Sequence, residues 1–143
     1  MLNRDQILAL IPHQGAMCLL DTAESWSGTG IICHARSHLD AGNPLRRAGR
    51  LSTVCGCEYG FQAAALHGAL IGGGVPQRAG FLVGLRVSLM ARPFLDDPAL
   101  GVLRVEASME ATAEAGLIYG FRLVSEGDET LLEGRGTIKL PVK

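Results

Sequence analysis

The sequence predicts an α+β fold in which one antiparallel sheet packs against a single long helix. One uninterrupted helical stretch runs from Leu51 to Leu70, and apolar and polar residues alternate through most of the chain after Gln77. The chain lacks the β-α-β alternation that a parallel sheet requires. With 143 residues, the chain has the length of one domain, residues 1–143.

The first third of the chain predicts a short helix, two strands and a loop. Asn3 is a suitable N-cap for an amphipathic helix that Pro12 ends. Segments 17–24 and 30–37 are compatible with strands. The segment 40–50 is rich in Gly, Pro and Arg, which is typical of a loop.

The long helical stretch contains small residues where a helix alone would not favour them. Gly56 and Gly60 each cost about 1 kcal/mol relative to alanine in a helix interior. Their presence indicates that a sheet approaches the helix closely. The glycines at 72–74 are expected to end it.

The remainder of the chain predicts four strands. Alternating apolar residues mark strands at 81–89 and 103–111. Segments 117–125 and 130–140 are expected to form a hairpin through the turn at 126–129.

Composition argues against two classes of partner. The formal net charge is −1, and the Lys and Arg residues are scattered, so we expect no nucleic-acid binding. No segment approaches the run of about 20 apolar residues that spans a bilayer. The N-terminal residues do not resemble a secretory signal, so a cytoplasmic location is expected.

The cysteines are predicted to be reduced core residues in a reducing compartment. They are Cys18, Cys33, Cys55 and Cys57, and the sequence contains no Cys-x-x-Cys motif. The histidines show no zinc-ligand spacing either, so no metal site is expected.

Several motifs occur in an order that resembles one enzyme family. They are the stretch 11–21 (Ile-Pro-His-Gln-Gly-Ala-Met-Cys-Leu-Leu-Asp), Asn43-Pro44, Gly49-Arg50-Leu51, 58–63 (Glu-Tyr-Gly-Phe-Gln-Ala) and 80–84 (Gly-Phe-Leu-Val-Gly). Together they resemble hot-dog-fold 3-hydroxyacyl-(acyl carrier protein) dehydratases, and the aryl-polyene branch more than the housekeeping one. The histidine that housekeeping members carry before the helix is absent, because residues 41–45 read Ala-Gly-Asn-Pro-Leu.

The resemblance implies a hot-dog sheet wrapped around the helix at 51–70 and an obligate dimer with a substrate tunnel at the dimer interface. The oligomer would be a homodimer, a higher oligomer or a heterodimer with another hot-dog protein. Acyl chains would arrive on the phosphopantetheine arm of an acyl carrier protein or on coenzyme A, with no other cofactor.

Dehydration of a 3-hydroxyacyl thioester needs a base near C2 and an acid near the hydroxyl. Glu58 is the candidate acid, because it is the single charged residue of the stretch 51–70 and apolar surroundings would keep its carboxyl protonated. His13 and His38 are the candidate bases; alternatively, His13 caps or packs and His38 is an exposed strand-end residue. Gln62, one turn after Glu58, either hydrogen-bonds Glu58 or ties the helix to backbone elsewhere.

The loop before the helix carries the candidate substrate-binding residues. N–H groups at the helix start, near Leu51, suit the developing negative charge on the thioester oxygen, and Gly49 would let backbone approach the substrate. Arg46, Arg47 and Arg50 either bind the pantetheine phosphate or an acidic carrier surface, or belong to a solvated loop.

Three functional hypotheses remain open at this point. The first is a dehydratase that makes trans-2-enoyl thioesters. The second is a hot-dog thioesterase in which Glu58 activates water. The third is a non-catalytic hot-dog subunit or acyl-binding partner, which the missing histidine favours.

Overall fold

The computed structural model describes residues 1–74, 81–113 and 116–139. Two α-helices and six strands make up its regular structure: α1 (Arg4–Leu8), β1 (Thr22–Trp26), β2 (Gly30–Ala35), α2 (Gly56–Ile71), β3 (Phe81–Met90), β4 (Leu103–Ala113), β5 (Gly116–Val124) and β6 (Thr130–Lys139). Short 3₁₀ turns occupy Gly15–Met17, Ser37–Leu39, Thr53–Cys55 and Pro98–Leu100. No helix of the described residues is long and apolar enough to cross a membrane.

The six strands form one antiparallel sheet in the order β1-β2-β4-β5-β6-β3, and α2 packs against its central strands. The predicted α+β architecture, a sheet wrapped around one long helix, is confirmed. The sheet approaches the helix glycines closely, as the sequence predicts. A Cβ on Gly60 would lie 2.5 Å from the Phe121 ring, and one on Gly56 would lie 2.8 Å from Leu123. Strand β5 therefore lies too close to the helix for larger residues at either position.

The region before the helix differs from the prediction at its first strand. A strand was expected over 17–24, but Gly15–Met17 is a 3₁₀ turn and β1 begins at Thr22. The cause is the side chain of Gln62 in α2, which hydrogen-bonds the backbone of Met17 and Leu19. These residues bond to the helix in place of a neighbouring strand.

Other boundaries shift by smaller amounts. Asn3 caps α1 as predicted, in a capping box with Gln6, but the helix ends at Leu8, well before Pro12. Strand β2 ends at Ala35 because a 3₁₀ turn follows. The long helix begins with a 3₁₀ turn at Thr53–Cys55 and ends at Ile71.

The strands after the helix match the prediction closely. Strands β3 and β4 extend one and two residues further than expected, to Met90 and Ala113. The hairpin between β5 and β6 is confirmed: Ser125 N–H donates to the Glu129 carbonyl at 2.8 Å, and Asp128 has φ +68° within the turn. Residue 140, the predicted end of the last strand, lies outside the described residues.

Strand β3 is an edge strand with an apolar surface. Its large hydrophobic residues are between 37% and 55% exposed: Leu82, Val83, Leu85, Val87, Leu89 and Met90. Native proteins rarely leave a long apolar edge strand open, because it can pair with another chain. Strand β3 is therefore an apolar edge at which another chain could pair.

All four cysteines are free, and three of them are buried as predicted; Cys55 is partly exposed. Burial raises the pKa of Cys33 to about 12. Burial, with a smaller contribution from the Glu58 charge, raises the pKa of Cys57 to about 11. These two side chains are neutral thiols at physiological pH.

Candidate active site

Glu58 lies in the first turn of α2, on the least buried face of the helix. That face, which we call the open stripe, consists of Val54, Glu58, Phe61 and Ala65, and Glu58 is its one charged member. Its side chain is partly buried, and no ion pair or hydrogen bond from the described residues engages its carboxylate. The Glu58 carboxylate therefore makes no structural contact within the described residues and remains accessible to a ligand.

His13 is the histidine on which the charge of Glu58 acts. Its ring is partly buried, and Nδ1 is buried without a hydrogen-bond partner. Burial lowers the pKa of His13 below its usual 6.5, and the Glu58 charge opposes that effect. The imidazole is therefore neutral near pH 7 and able to accept a proton.

The loop that carries His13 is fixed on both sides of the ring. Arg4 donates hydrogen bonds to the carbonyls of Gly15 at 2.8 Å and Cys18 at 3.1 Å. The Gln14 amide donates to the last carbonyl of α1 at 2.7 Å. These bonds fix the backbone of the loop that carries His13.

Gln62 anchors the same loop to the helix. It is fully buried, its Nε2 donates to the Met17 carbonyl at 2.7 Å, and its Oε1 accepts from Leu19 N–H at 2.8 Å. Of the two predicted roles, the tie between helix and backbone is the one observed. Gln62 thus sets the position of the His13 loop relative to Glu58.

Sequence reasoning missed the role of Tyr59. Its buried hydroxyl bonds with Ser37 Oγ at 2.8 Å and accepts from Asn43 Nδ2 at 3.1 Å. Burial raises the pKa of Tyr59 to about 12. Asn43 and Tyr59 both belong to the motifs that carried the resemblance, which was the available signal. This cluster fixes the loop at 37–43 to the start of α2.

His38 lies elsewhere in the fold. It is fully buried in a 3₁₀ turn, so the expectation of an exposed strand-end residue is wrong. Neither ring nitrogen has a partner with hydrogen-bond geometry. Burial lowers its pKa; the Gly101 backbone and Asp21 oppose this, and Arg46 adds to it. The structure therefore brings His13, and not His38, under the influence of Glu58.

Two of the predicted phosphate-binding arginines bond instead to Asp96. Arg50 makes a bidentate pair with its carboxylate, at 2.8 and 3.1 Å, and stacks over Phe94 with its guanidinium 3.8 Å from the ring centroid. Arg46 lies 3.6 Å from the same carboxylate and also donates to three backbone carbonyls, including that of Gly49. The bonds from Arg50 hold the pKa of Asp96 at about 2. Both guanidinium groups are therefore already engaged by contacts within the protein.

Arg47 and Gly49 lie on a tight turn in the same loop. Among the described residues, the exposed Arg47 side chain donates to two backbone carbonyls, those of Pro44 at 2.9 Å and Arg46 at 2.7 Å. Gly49 has φ +73°, which favours glycine, and the space beside its Cα is open. Close approach of a substrate to Gly49 stays a prediction.

The N–H groups expected to receive the thioester oxygen are partly occupied. Leu51 N–H donates to Asp96 at 3.3 Å, Thr53 N–H to the Pro93 carbonyl at 3.0 Å, and Cys55 N–H to that of Ser52 at 3.0 Å. Val54 N–H has no partner among the described residues. Val54 is 48% exposed and precedes Glu58 by about one turn. The candidate donor is therefore at Val54 and not at Leu51.

Comparison with solved structures confirms the hot-dog fold. The chain is similar to a chain of the dehydratase heterocomplex ApeI:P from Xenorhabdus doucetiae, with a TM-score of 0.76 and 20% identity over 100% of this chain and 93% of that one. It is also similar to the PaaI protein of the Escherichia coli phenylacetic acid degradation operon, with a TM-score of 0.59 and 12% identity over 82% and 81%. A hypothetical thioesterase with coenzyme A from Streptococcus pneumoniae TIGR4 matches with a TM-score of 0.60 and 11% identity over 85% of each chain.

Sequence comparison identifies the family. No curated protein matches the chain. A family profile described as ApeP-like, ApeP dehydratase, matches residues 5–141. That span is nearly the whole chain and contains His13, Glu58 and Gln62. The chain therefore belongs to the ApeP-like family of dehydratases.

Proposed function

We propose that the protein removes water from 3-hydroxyacyl thioesters to give trans-2-enoyl thioesters, with His13 as the base and Glu58 as the acid. Two observations carry the proposal: the Glu58 charge acts on the pKa of a partly buried imidazole, His13, and the Glu58 carboxyl group lies on an apolar stripe without a partner among the described residues. Such a pair supplies the two proton transfers that the reaction needs.

The proposed reaction balances within the pair. In the proposed starting state His13 is neutral and Glu58 carries the proton. His13 takes the C2 proton, the C2–C3 double bond forms, and the C3–O bond breaks as Glu58 protonates the leaving hydroxyl. The pair is left as imidazolium and carboxylate, which attract each other. A proton transfer from His13 to Glu58, direct or through water, resets the site.

Val54 N–H is the proposed donor to the thioester oxygen as negative charge develops there. It lies in the 3₁₀ turn directly before α2, near the helix end whose dipole favours negative charge. Since Val54 precedes Glu58 by about one turn, the thioester carbonyl would lie toward the helix start and the C3 hydroxyl near Glu58.

The proposed substrates are thioesters of phosphopantetheine, on an acyl carrier protein or on coenzyme A, and no further cofactor is required. The chemistry above uses only the two side chains and one backbone N–H. We place the reaction in the cytoplasm, where the four free cysteines would remain reduced.

A second hot-dog subunit is the proposed partner. Strand β3 offers an apolar pairing edge, and the open stripe of α2 is left partly uncovered by its own sheet. The similar structure from Xenorhabdus doucetiae is a dehydratase heterocomplex, which supports a heterodimer, and a homodimer is the alternative. A partner that covers the open stripe would desolvate Glu58 and complete a tunnel.

The test is product formation by the purified protein, alone and with any subunit that co-purifies from its native host. We expect 3-hydroxyacyl-pantetheine thioesters to yield the absorbance of a conjugated enoyl thioester, and Glu58→Gln to abolish it. Absence of dehydration, and of the reverse hydration, on every acyl thioester would contradict the proposal.

The same assay separates the two rival functions. Release of free thiol without enoyl absorbance would identify a thioesterase, a function held by several proteins of this fold. Activity that depends wholly on the co-purified subunit and survives Glu58→Gln would identify this chain as a non-catalytic partner.

A further inference from the structure

We propose that Arg47 binds the phosphate group of the phosphopantetheine arm and thereby favours phosphopantetheine thioesters over thioesters that lack the phosphate, an inference that rests on the proposed function. Sequence reasoning treated Arg46, Arg47 and Arg50 as equivalent candidates. The structure distinguishes them.

The first step compares the groups that each of the three arginines already binds. Arg46 and Arg50 are both paired with Asp96. Arg47 forms no ion pair with a carboxylate of the described residues, and both of its hydrogen bonds leave from Nη1. Its Nε and Nη2 donors remain for a ligand, and a planar guanidinium fork matches a phosphate group.

The second step is the rigidity of the turn that presents Arg47. Arg47 N–H donates to the Arg50 carbonyl at 2.9 Å, and Arg50 N–H donates back to the Arg47 carbonyl at 3.0 Å. The two residues between them, Ala48 and Gly49, have φ +52° and +73°, as in the tight turns of β-hairpins. Ala48 is strained in this conformation, and backbone strain of this kind concentrates at functional positions.

The third step is that the turn lies next to the catalytic end of α2. The Cys55 thiol contacts the Leu45 carbonyl at 3.8 Å, which joins the helix start to the loop two residues before Arg47. The pKa of Cys55 is raised mainly by burial; the Arg47 charge lowers it and the Glu58 charge raises it. Arg47 and Glu58 therefore both lie near Cys55.

The fourth step is the surface between them. Val54 is 48% exposed and stands at the helix start, before Glu58. A phosphopantetheine arm has an anionic phosphate, then an apolar gem-dimethyl segment, then the thioester. Arg47 and Glu58, which both lie near Cys55, and Val54, which precedes Cys55 in the chain, offer chemistry that matches these three segments.

The test is a binding measurement that requires no turnover, so it succeeds or fails independently of dehydratase activity. Isothermal titration calorimetry would compare 4′-phosphopantetheine with pantetheine, which lacks the phosphate. We expect the protein to bind 4′-phosphopantetheine about tenfold or more tightly than pantetheine, as one charge-assisted contact predicts. Arg47→Gln should remove that preference, and Arg47→Lys should retain part of it.

The matched control is Arg135→Gln, since Arg135 is an exposed arginine on β6 that pairs with Glu110 on the same sheet. It should keep the full preference for phosphate. The proposal would be overturned if the wild-type protein showed no preference for phosphate, or if Arg47→Gln kept that preference. It would also be overturned if Arg47→Gln and Arg135→Gln lost the preference to the same extent. Enoyl formation measured on the same samples reports separately on the proposed function.

Discussion

Glu58 and Gln62 lie one turn apart on α2, and their surroundings differ in almost every respect. Gln62 is fully buried, and both ends of its amide are hydrogen-bonded to backbone. Glu58 is partly exposed, and its carboxylate has no partner among the described residues. The nearby Tyr59 resembles Gln62, since its buried hydroxyl meets Ser37 and Asn43.

The difference separates positioning from chemistry. A buried polar group with every bond satisfied stabilises one arrangement of the chain. A partly exposed group without bonds is free to exchange a proton with a substrate. Substitution at Gln62 should therefore change mainly stability, and substitution at Glu58 mainly activity.

The largest expected effect is that of Glu58→Gln on turnover. Loss of a general acid typically reduces the rate by about 10²–10⁴-fold, so we expect kcat to fall by roughly 10³-fold. The free energy of unfolding should change by less than about 0.5 kcal/mol, because no internal bond is lost. Steady-state kinetics and urea unfolding measure the two quantities. A Glu58→Gln variant that loses much stability and keeps its kcat would contradict the assignment of Glu58 to chemistry.

Gln62→Ala should show the opposite balance. It removes two hydrogen bonds, leaves the Met17 carbonyl and the Leu19 N–H unpaired, and creates a cavity, which together should cost about 2–4 kcal/mol. Chemical denaturation gives that value. Glu58→Ala serves as the matched control on the same helix. A Gln62→Ala protein as stable as wild type would show that the loop does not depend on this bond.

The pH dependence of activity sharpens the comparison for His13. Burial lowers its pKa below 6.5, and the reaction uses the neutral ring. The acid limb of kcat/KM should therefore lie below pH 6.5, with a loss of about tenfold per pH unit beneath the pKa. His13→Asn should remove that limb along with most of the activity. An acid limb clearly above pH 6.5 would exclude His13 as the titrating base.

A smaller effect is expected for Asp96, whose charge should contribute to stability and has no proposed role in catalysis. Its folded pKa of about 2 lies below the ordinary 3.8, so its bonds with Arg50 stabilise the fold above about pH 4. That contribution is lost as pH falls through 2. The stability difference between wild type and Asp96→Asn should therefore shrink between pH 5 and pH 2. A pH-independent difference would mean that the charge of Asp96 contributes nothing.

The strands and the long helix were predictable because their periodicity is local. Alternation over 103–111 located β4 within two residues, and the glycines of the helix correctly indicated a close sheet. The segment 17–21 was wrongly predicted as strand, because Met17 and Leu19 bond to Gln62, about 45 residues away in the sequence. Local strand propensity carries no information about a hydrogen-bond partner that is so distant in the sequence.

The candidate site was predictable in part. Glu58 stands out in sequence as the lone charge of an apolar helix, and His13 follows from its motif. The sequence could not choose between His13 and His38, because the choice depends on which loop faces the helix start. The loop arginines were also indistinguishable, since Asp96 reaches Arg46 and Arg50 only in the folded chain.

The central claim is that His13 and Glu58 act as one acid–base unit, and a double-mutant cycle on dehydration tests it most directly. The kcat/KM values of wild type, His13→Asn, Glu58→Gln and the double variant would be measured on one pantetheine thioester. Residues that act as a unit are strongly non-additive, so the double variant should be about as slow as the slower single variant. Single effects that multiply in the double variant, or a double variant as active as wild type, would contradict the account.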